Sequence, residues 1–174
     1  MNKHLHWMTG ALLAAAMAVA ACQPGMMGDA MPGGDMGGMS GGPNEGKVAA
    51  TVAGIEIVDP WARAATLEGG NSAIYMVLRN TSADADKLVS AEGDVATAIE
   101  IHETSMDNGV MSMHQVEGGL EVPANGSVEL KPGGYHVMLI GLSGALKAGD
   151  MVSVKLNFES GASVDLTVPV MDPK

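Results

Sequence analysis

The chain has 174 residues and a formal net charge of −11 at pH 7. This acidity argues against nucleic acids and anionic membrane surfaces as binding partners, and it is compatible with cations or basic protein surfaces. Because the chain contains a single cysteine, it can form neither an intramolecular disulfide nor a thiolate-rich metal site.

The N-terminal residues 1–21 have the pattern of a lipoprotein signal peptide. Met1 to Trp7 is short, basic and polar, and Thr9 to Ala21 is an apolar run that is too short to span a bilayer as a stable helix. The run ends in Val-Ala-Ala before Cys22, which resembles a bacterial lipobox. We therefore expect cleavage before Cys22, lipidation of Cys22, and a periplasmic protein that its lipid anchors to a membrane of the cell envelope. The alternative is an ordinary secretory signal in which Cys22 is a free thiol.

Residues 22–46 are predicted to be a disordered tether that starts at the lipidated cysteine. Gly, Met and Pro dominate this segment, and it has no apolar periodicity from which a core could be built. Its methionines are compatible with compositional drift or with weak capture of a soft metal ion by thioethers. They are Met26, Met27, Met31, Met36 and Met39.

Residues 47–174 are predicted to form one all-β domain. Short alternating or apolar runs are separated by Gly, Pro, Asn and Asp, and no run keeps the period of a long helix. This pattern favours an antiparallel β-sandwich or barrel, and the domain is large enough to bury a sufficient core. The predicted strands are Ala49–Val58, Ser72–Asn80, Leu88–Ala91, Thr97–Thr104, Val110–Val116, Ser127–Leu130, Tyr135–Leu142, Met151–Phe158 and Ser163–Val168.

Asp107-Asn108-Gly109 is the strongest local signal in the domain. Asn-Gly between two strand-like runs favours a two-residue type I′ turn, because both central positions need a positive φ. With Asn108 and Gly109 as the loop, Asp107 pairs with Val110. The register then places Met106 opposite Met111, Thr104 opposite Met113 and His102 opposite Gln115. His102 and Met113 are thereby predicted to share a face as diagonal neighbours, while His114 faces the other way.

The histidines and methionines of this region suggest a metal site. Removal of the signal peptide leaves only His102, His114 and His136, and His136 shares a strand face with Met138 because the two residues are two positions apart. His102, Met113, His136 and Met138 make a set of two imidazoles and two thioethers, which predicts Cu(I) because thioethers are soft ligands. A blue-copper centre is excluded, since it needs a cysteine in the site.

The alternative for any single methionine or histidine is a packing or surface role. Met76, Met151 and Met171 are assigned to packing on that basis.

The ligand spacing resembles that of the periplasmic copper chaperone family PCu(A)C. His102 is followed by ten intervening residues, Met113, and then His136-Val137-Met138. Similar supporting stretches cover most of residues 52–160, and they imply a cupredoxin-like Greek-key β-sandwich. They are DPWARAA at 59–65, NSAIYMVLRN at 71–80, IEIHET at 99–104 and EVPANGSVELKPGGYHVMLIGL at 121–142.

One feature departs from the family pattern. Twenty-two residues separate Met113 from His136, one more than is common in the family, and the extra residue is assigned to the loop at Gly118-Gly119. Met111 therefore stays an alternative ligand to Met113, because hairpin parity places both on the same face.

The resemblance implies a chaperone that binds Cu(I) and passes it to a copper-accepting partner, such as a cytochrome c oxidase subunit or its assembly factor. A copper-sequestering envelope lipoprotein for copper tolerance would use the same ligands and is the alternative. A structural β-sandwich with incidental His and Met residues is a third hypothesis. An enzyme is not expected, because the sequence has no G-x-S-x-G elbow, phosphate-binding glycine loop or HExxH motif.

Overall fold

The computed structural model describes residues 46–107 and 109–172. The predicted signal peptide, Cys22 and the tether up to residue 45 lie outside these residues, so the assignments made for them stay predictions. In the described ranges there is no helix that could span a membrane.

The described residues form an all-β domain, as predicted. Its strands are β1 (Val48–Val52), β2 (Ile55–Arg63), β3 (Ser72–Asn80), β4 (Asp86–Glu92), β5 (Ala96–Asp107), β6 (Val110–Gln115), β7 (Leu120–Val122), β8 (Ser127–Leu130), β9 (Tyr135–Leu142), β10 (Met151–Phe158) and β11 (Ser163–Met171).

Two differences from the predicted strands have different causes, one local and one long-range. The predicted strand Ala49–Val58 is divided into β1 and β2, because Ala53 and Gly54 have positive φ angles of 46° and 83° and form a tight turn. The short strand β7 was not predicted. It is held by pairing with β4, a long-range contact that no local pattern reveals.

The strands are connected in the order β6-β5-β9-β8-β3-β2-β11-β10-β4-β7, with β1 paired to β2. β11 links two groups of strands, since it pairs antiparallel with β10 and, at its end, parallel with β2. A second parallel pairing joins β8 and β9. The other strand pairs are antiparallel, which agrees with the predicted class.

The core is filled by aliphatic side chains from both groups of strands. Ile57 and Ile74 come from one group, and Leu156 and Val168 from the other, and each is fully buried. Alternation along a strand sends neighbouring residues to opposite faces. In β5 and β9 the core residues Ile101, Val137 and Leu139 therefore leave His102, His136 and Met138 on the other face.

Candidate metal centre

The β5–β6 hairpin has the register that the Asn-Gly turn predicts. Asp107 pairs with Val110, Met106 with Met111, Thr104 with Met113 and His102 with Gln115. Gly109 has a φ of 82°, as a type I′ turn requires at this position. His102 and Met113 are consequently diagonal neighbours on one face, and the predicted juxtaposition is confirmed.

Strand β9 brings the second histidine to the same place. His136 is the direct cross-strand partner of His102, and Met138 is the partner of Glu100. The ring centroids of His102 and His136 are 5.9 Å apart, with the planes tilted by 58°. The two imidazoles and the thioether of Met138 are therefore collected on one face of two neighbouring strands, although His102 is 34 positions before His136 in the sequence.

His136 is held in a defined tautomer. Its side chain is buried, and Nδ1 lies 3.0 Å from the carbonyl oxygen of Gly134. Because a carbonyl only accepts hydrogen bonds, Nδ1 must carry the proton, which leaves Nε2 with a free lone pair. Burial lowers the pKa of His136 below its usual 6.5; the Gly134 contact acts to raise it, and the charges of His102 and Arg63 lower it further. The neutral ring that results is the metal-binding form of histidine.

His102 has the opposite arrangement of its ring nitrogens. Nε2 lies 2.8 Å from a carboxylate oxygen of Glu100, two residues earlier on the same face. Nδ1 is buried and has no hydrogen-bond partner among the described residues. In neutral His102 the unpartnered Nδ1 is therefore the nitrogen that offers a lone pair to a metal ion.

The methionines differ in their exposure. Met138 is half-buried beside the histidines, whereas Met113 is 59% exposed. Met113 lies opposite Thr104, which is two residues from His102, and Met111 lies opposite Met106, four residues from His102. This register favours Met113 over Met111 as the nearer thioether. The ligand role of all four residues stays a prediction. Of the methionines assigned to packing, Met76 is buried in the core, but the assignment of Met151 was wrong, because its side chain is 58% exposed on β10.

The described His, Cys, Asp and Glu side chains do not by themselves form a metal site around these histidines. Within the part of the chain that the structure describes, no three His, Cys, Asp or Glu side chains are grouped so that they could hold a metal ion. His114 lies on the opposite face, as predicted, where its Nε2 is 3.4 Å from a carboxylate oxygen of Glu103. The thioethers of Met113 and Met138 are further donor groups on the face that carries His102 and His136.

Sequence reasoning missed two groups of neighbours of this site. Glu100 could have been found, because it lies two positions before His102 and must share its face. Trp61 and Tyr75 could not, since long-range pairing places them there. Their ring centroids are 4.7 Å apart, and that of Tyr75 is 6.3 Å from the centroid of His136. Tyr75 is thus the aromatic neighbour of His136, Trp61 packs against Tyr75, and the charge of Arg63 acts on His136.

The loop between β6 and β7 is the place to which the extra residue in the spacing is assigned, and this assignment stays a prediction. Gly118 and Gly119 both have positive φ angles, and a Cβ atom on Gly118 would meet no other atom within 4 Å. At Gly119, by contrast, a Cβ atom would lie 2.8 Å from the carbonyl oxygen of Leu88, so Gly118 is the position with room for an extra residue.

A β-sandwich that gathers two imidazoles and nearby thioethers on one face of adjacent strands is a domain of the PCu(A)C type. The sequence of this chain matches the family model described as "Putative lipoprotein LpqE-like" over residues 55–170. The chain belongs to this family.

Two related sequences support the assignment. The chain is 34% identical over 119 residues to "Putative lipoprotein Lxx21020" of Leifsonia xyli subsp. xyli, a match that covers 68% of this chain and 70% of that protein. It is also 35% identical over 121 residues to "Uncharacterized protein RP573" of Rickettsia prowazekii, a match that covers 68% of this chain and 67% of that protein.

Solved structures show the same fold. The apo PCuAC domain of PmoF1 has a TM-score of 0.60 at 22% identity and covers 71% of this chain and 98% of that domain. The copper-bound PCuAC domain of PmoF2 has a TM-score of 0.59 at 26% identity and covers 71% of this chain and 97% of that domain. The solution structure of CuI-DR1885 from Deinococcus radiodurans has a TM-score of 0.53 at 31% identity and covers 67% of this chain and 78% of that one.

Proposed function

We propose that the protein is a periplasmic chaperone that binds one Cu(I) ion and transfers it to a partner protein. The observation that carries the proposal is the direct cross-strand pairing of His102 with His136 on a face that also bears Met113 and Met138. Similar structures of a copper-bound PCuAC domain and of CuI-DR1885 support Cu(I) as the cargo. We assign His102, Met113, His136 and Met138 as its ligands.

The ligand chemistry is suited to Cu(I). The four side chains are neutral, so a monovalent ion can be held at a half-buried position without a buried carboxylate among its ligands. Imidazole and thioether together favour Cu(I) over the harder Zn²⁺, Mg²⁺ and Ca²⁺. The positive charge of Arg63, which is close enough to lower the pKa of His136, also favours the ion of lower charge.

The assigned ligands differ in their exposure to solvent, which determines the order in which an acceptor can replace them. His136 is 4% exposed, whereas Met113 is 59% exposed. An acceptor can therefore replace Met113 first while the inner ligands still hold the ion, and copper moves by ligand exchange without release to solvent. The process involves no bond-breaking in a substrate, so we assign the protein as a metal carrier and not as an enzyme.

The proposed acceptor is a cytochrome c oxidase subunit or an assembly factor that builds its copper site. A lipid on Cys22 would hold the carrier at the envelope membrane, close to a membrane-embedded acceptor. The exposed outer ligand favours delivery over the alternative of copper sequestration, since a storage site gains nothing from a ligand that an acceptor can reach.

A competition titration tests the copper site. The soluble chain, residues 23–174, is titrated with Cu(I) against a chromophoric chelator, together with His136→Ala and Met113→Leu. We expect tight one-to-one binding that weakens by about a hundredfold or more in His136→Ala, since loss of an outer-shell partner alone costs about 10–100-fold. His114→Ala, on the opposite face, is the matched control and should bind as the wild type does. Equal affinity in all variants would refute the assigned site.

Delivery is tested in cells that lack the gene. Low oxidase activity at limiting copper, restored by the wild-type gene but not by His136→Ala, is the expected result. Normal oxidase activity at limiting copper would refute delivery and leave sequestration as the function.

A further inference from the structure

Three methionines line the outer part of the β5–β6 hairpin. Met106, Met111 and Met113 are 69%, 64% and 59% exposed. Alternation and the observed register place all three on the face that carries His102. The hairpin thus extends a line of thioethers from the proposed copper site to its own tip.

Met106 and Met111 form the outermost pair of this line. They are direct cross-strand partners next to the closing pair Asp107–Val110. In a two-residue hairpin the closing pair is hydrogen-bonded, so the next pair is of the non-hydrogen-bonded type, in which Cα atoms lie about 4.5 Å apart and side chains are closest. The two thioethers can therefore converge on one ion.

The donor groups between the hairpin tip and His102 are regularly spaced. Thr104 and Met113 form the next pair of the same type, and His102 lies two residues further along β5. Two residues along a strand span about 6.6–6.8 Å. Met113 is thus the intermediate position between the Met106–Met111 pair and His102.

Packing does not account for these methionines. Every residue of β6 is exposed, and β6 is an end strand in the order of the sheet. Exposed edge strands commonly carry charged residues, which discourage association with other strands, whereas this one carries long apolar side chains. What an exposed methionine offers is an accessible soft donor atom.

We propose that Met106 and Met111 form an outer Cu(I) station, from which the ion passes through Met113 to the inner site. The inference rests on the proposed function of that inner site. In each step a copper–sulfur bond to an outer thioether is replaced by a bond to the next donor, and the ion remains Cu(I), so no oxidant or reductant takes part. The station determines how quickly copper enters and leaves, and the imidazoles determine how tightly it is held.

Stopped-flow loading tests the kinetic role of the station. The double variant Met106→Leu/Met111→Leu keeps the size and apolar character of both side chains and removes both thioethers. Transfer of Cu(I) from a weak chelator complex to the protein should slow by about tenfold, which corresponds to about 1.4 kcal/mol in the barrier, while the equilibrium affinity of the inner site is unchanged. Met151→Leu, a comparably exposed methionine on β10 (58%), is the control and should load at the wild-type rate.

Methyl NMR tests occupancy of the station directly. In the protein labelled with ¹³C-methyl methionine, addition of Ag(I), a redox-inert substitute for Cu(I), beyond one equivalent should shift the Met106 and Met111 signals and leave the Met151 signal in place. Unshifted Met106 and Met111 signals, together with wild-type loading in the double variant, would overturn the station.

Failure of the station and failure of the inner site have different signatures. If the inner site is misassigned, His136→Ala binds Cu(I) as tightly as the wild type. If only the station is wrong, His136→Ala loses binding and the double variant loads normally.

Discussion

Glu100 fixes which nitrogen of His102 can bind a metal ion. Its carboxylate accepts a hydrogen bond from Nε2 at 2.8 Å, and Nδ1 is left buried without a partner among the described residues. A buried nitrogen without a hydrogen bond costs about 1–3 kcal/mol, and a metal ion bound at Nδ1 would remove this cost. A carboxylate behind a metal-bound imidazole is a common way to orient the ring. We therefore expect His102 to bind through Nδ1 and His136 through Nε2.

Replacement of Glu100 tests this tautomer. Glu100→Ala should weaken Cu(I) binding by about 10–100-fold, because the ring loses its orienting acceptor, and Glu100→Gln should restore part of the affinity through its amide oxygen. The ¹⁵N shifts of the copper-free wild type should show His102 protonated at Nε2, and Glu100→Ala should change this pattern. Glu103→Gln, on the opposite face, is the control. Wild-type ¹⁵N shifts and affinity in Glu100→Ala would rule out the orienting role.

At the scale of single residues the sequence predicted which candidate ligands share a strand face but not their environment, and their role as ligands stays a prediction. His102, Met113, His136 and Met138 could be chosen from spacing and strand parity. The carbonyl of Gly134 that sets the His136 tautomer, and the Tyr75 ring beside it, depend on loop conformation and on pairing between distant strands. Local patterns carry no information about such contacts.

At the scale of secondary structure, the β5–β6 hairpin positions Met113. Gly109 has a φ of 82°, and a Cβ atom there would meet nothing within 4 Å. Gly109→Ala therefore introduces backbone strain of about 1–2 kcal/mol without a steric clash. The hairpin should open more often, so that amide exchange in β6 becomes faster and Cu(I) affinity falls several-fold.

Gly161→Ala is a matched control for this change. Gly161 has a φ of 84°, and a Cβ atom there would meet nothing within 4 Å. It lies in the turn between β10 and β11, away from the histidines. It should lower stability to a similar extent and leave Cu(I) affinity unchanged. A loss of affinity in Gly161→Ala as large as in Gly109→Ala would show that general destabilisation, and not the hairpin, is responsible.

Asp86 joins the start of β4 to the β10–β11 turn. Its carboxylate accepts hydrogen bonds from the amide and hydroxyl of Ser160 at 3.1 and 2.6 Å and from the amide of Lys87 at 2.8 Å. Burial acts to raise the pKa of Asp86, but these hydrogen bonds outweigh it and hold the pKa below the usual 3.8. The ionised carboxylate of Asp86 thus links two elements that are far apart in the sequence.

Asp86→Ala should lower the free energy of unfolding by about 1–2 kcal/mol at neutral pH, because the three donors lose their acceptor. Since the folded-state pKa is depressed, this contribution is complete above the usual carboxyl pKa and is lost as the pH falls through the folded-state value. Urea unfolding at several pH values should show the difference between wild type and variant narrowing below about pH 3.8. A difference that stays constant into strong acid would contradict the role of the carboxylate.

The elements themselves were largely predictable, and their partners were not. The Asn-Gly turn specified the β5–β6 register, because turn chemistry is local. The division of Ala49–Val58 by the local turn at Ala53-Gly54 was missed. The parallel pairing of β11 with β2 was also missed, because a tertiary contact decides it.

At the scale of the whole molecule, the apolar core and the proposed copper site are largely separate. Of the four assigned ligands only His136 is buried, and the aliphatic core lies on the other face of β5 and β9. The fold therefore does not depend on the metal for its stability, in contrast to small zinc domains that are unfolded without their ion. We expect the copper-free protein to unfold cooperatively on heating.

Cu(I) should then add stability in proportion to its binding. The four assigned ligands lie on β5, β6 and β9, so we expect the ion to bind the folded chain and not the unfolded one. With free Cu(I) at about a hundredfold above Kd, the free energy of unfolding should rise by about 2.7 kcal/mol. Calorimetry with and without Cu(I) measures the shift, and His136→Ala should abolish it. A copper-free chain without a cooperative transition would mean that the metal, and not the two groups of strands packed around Leu156 and Ile74, organises the domain.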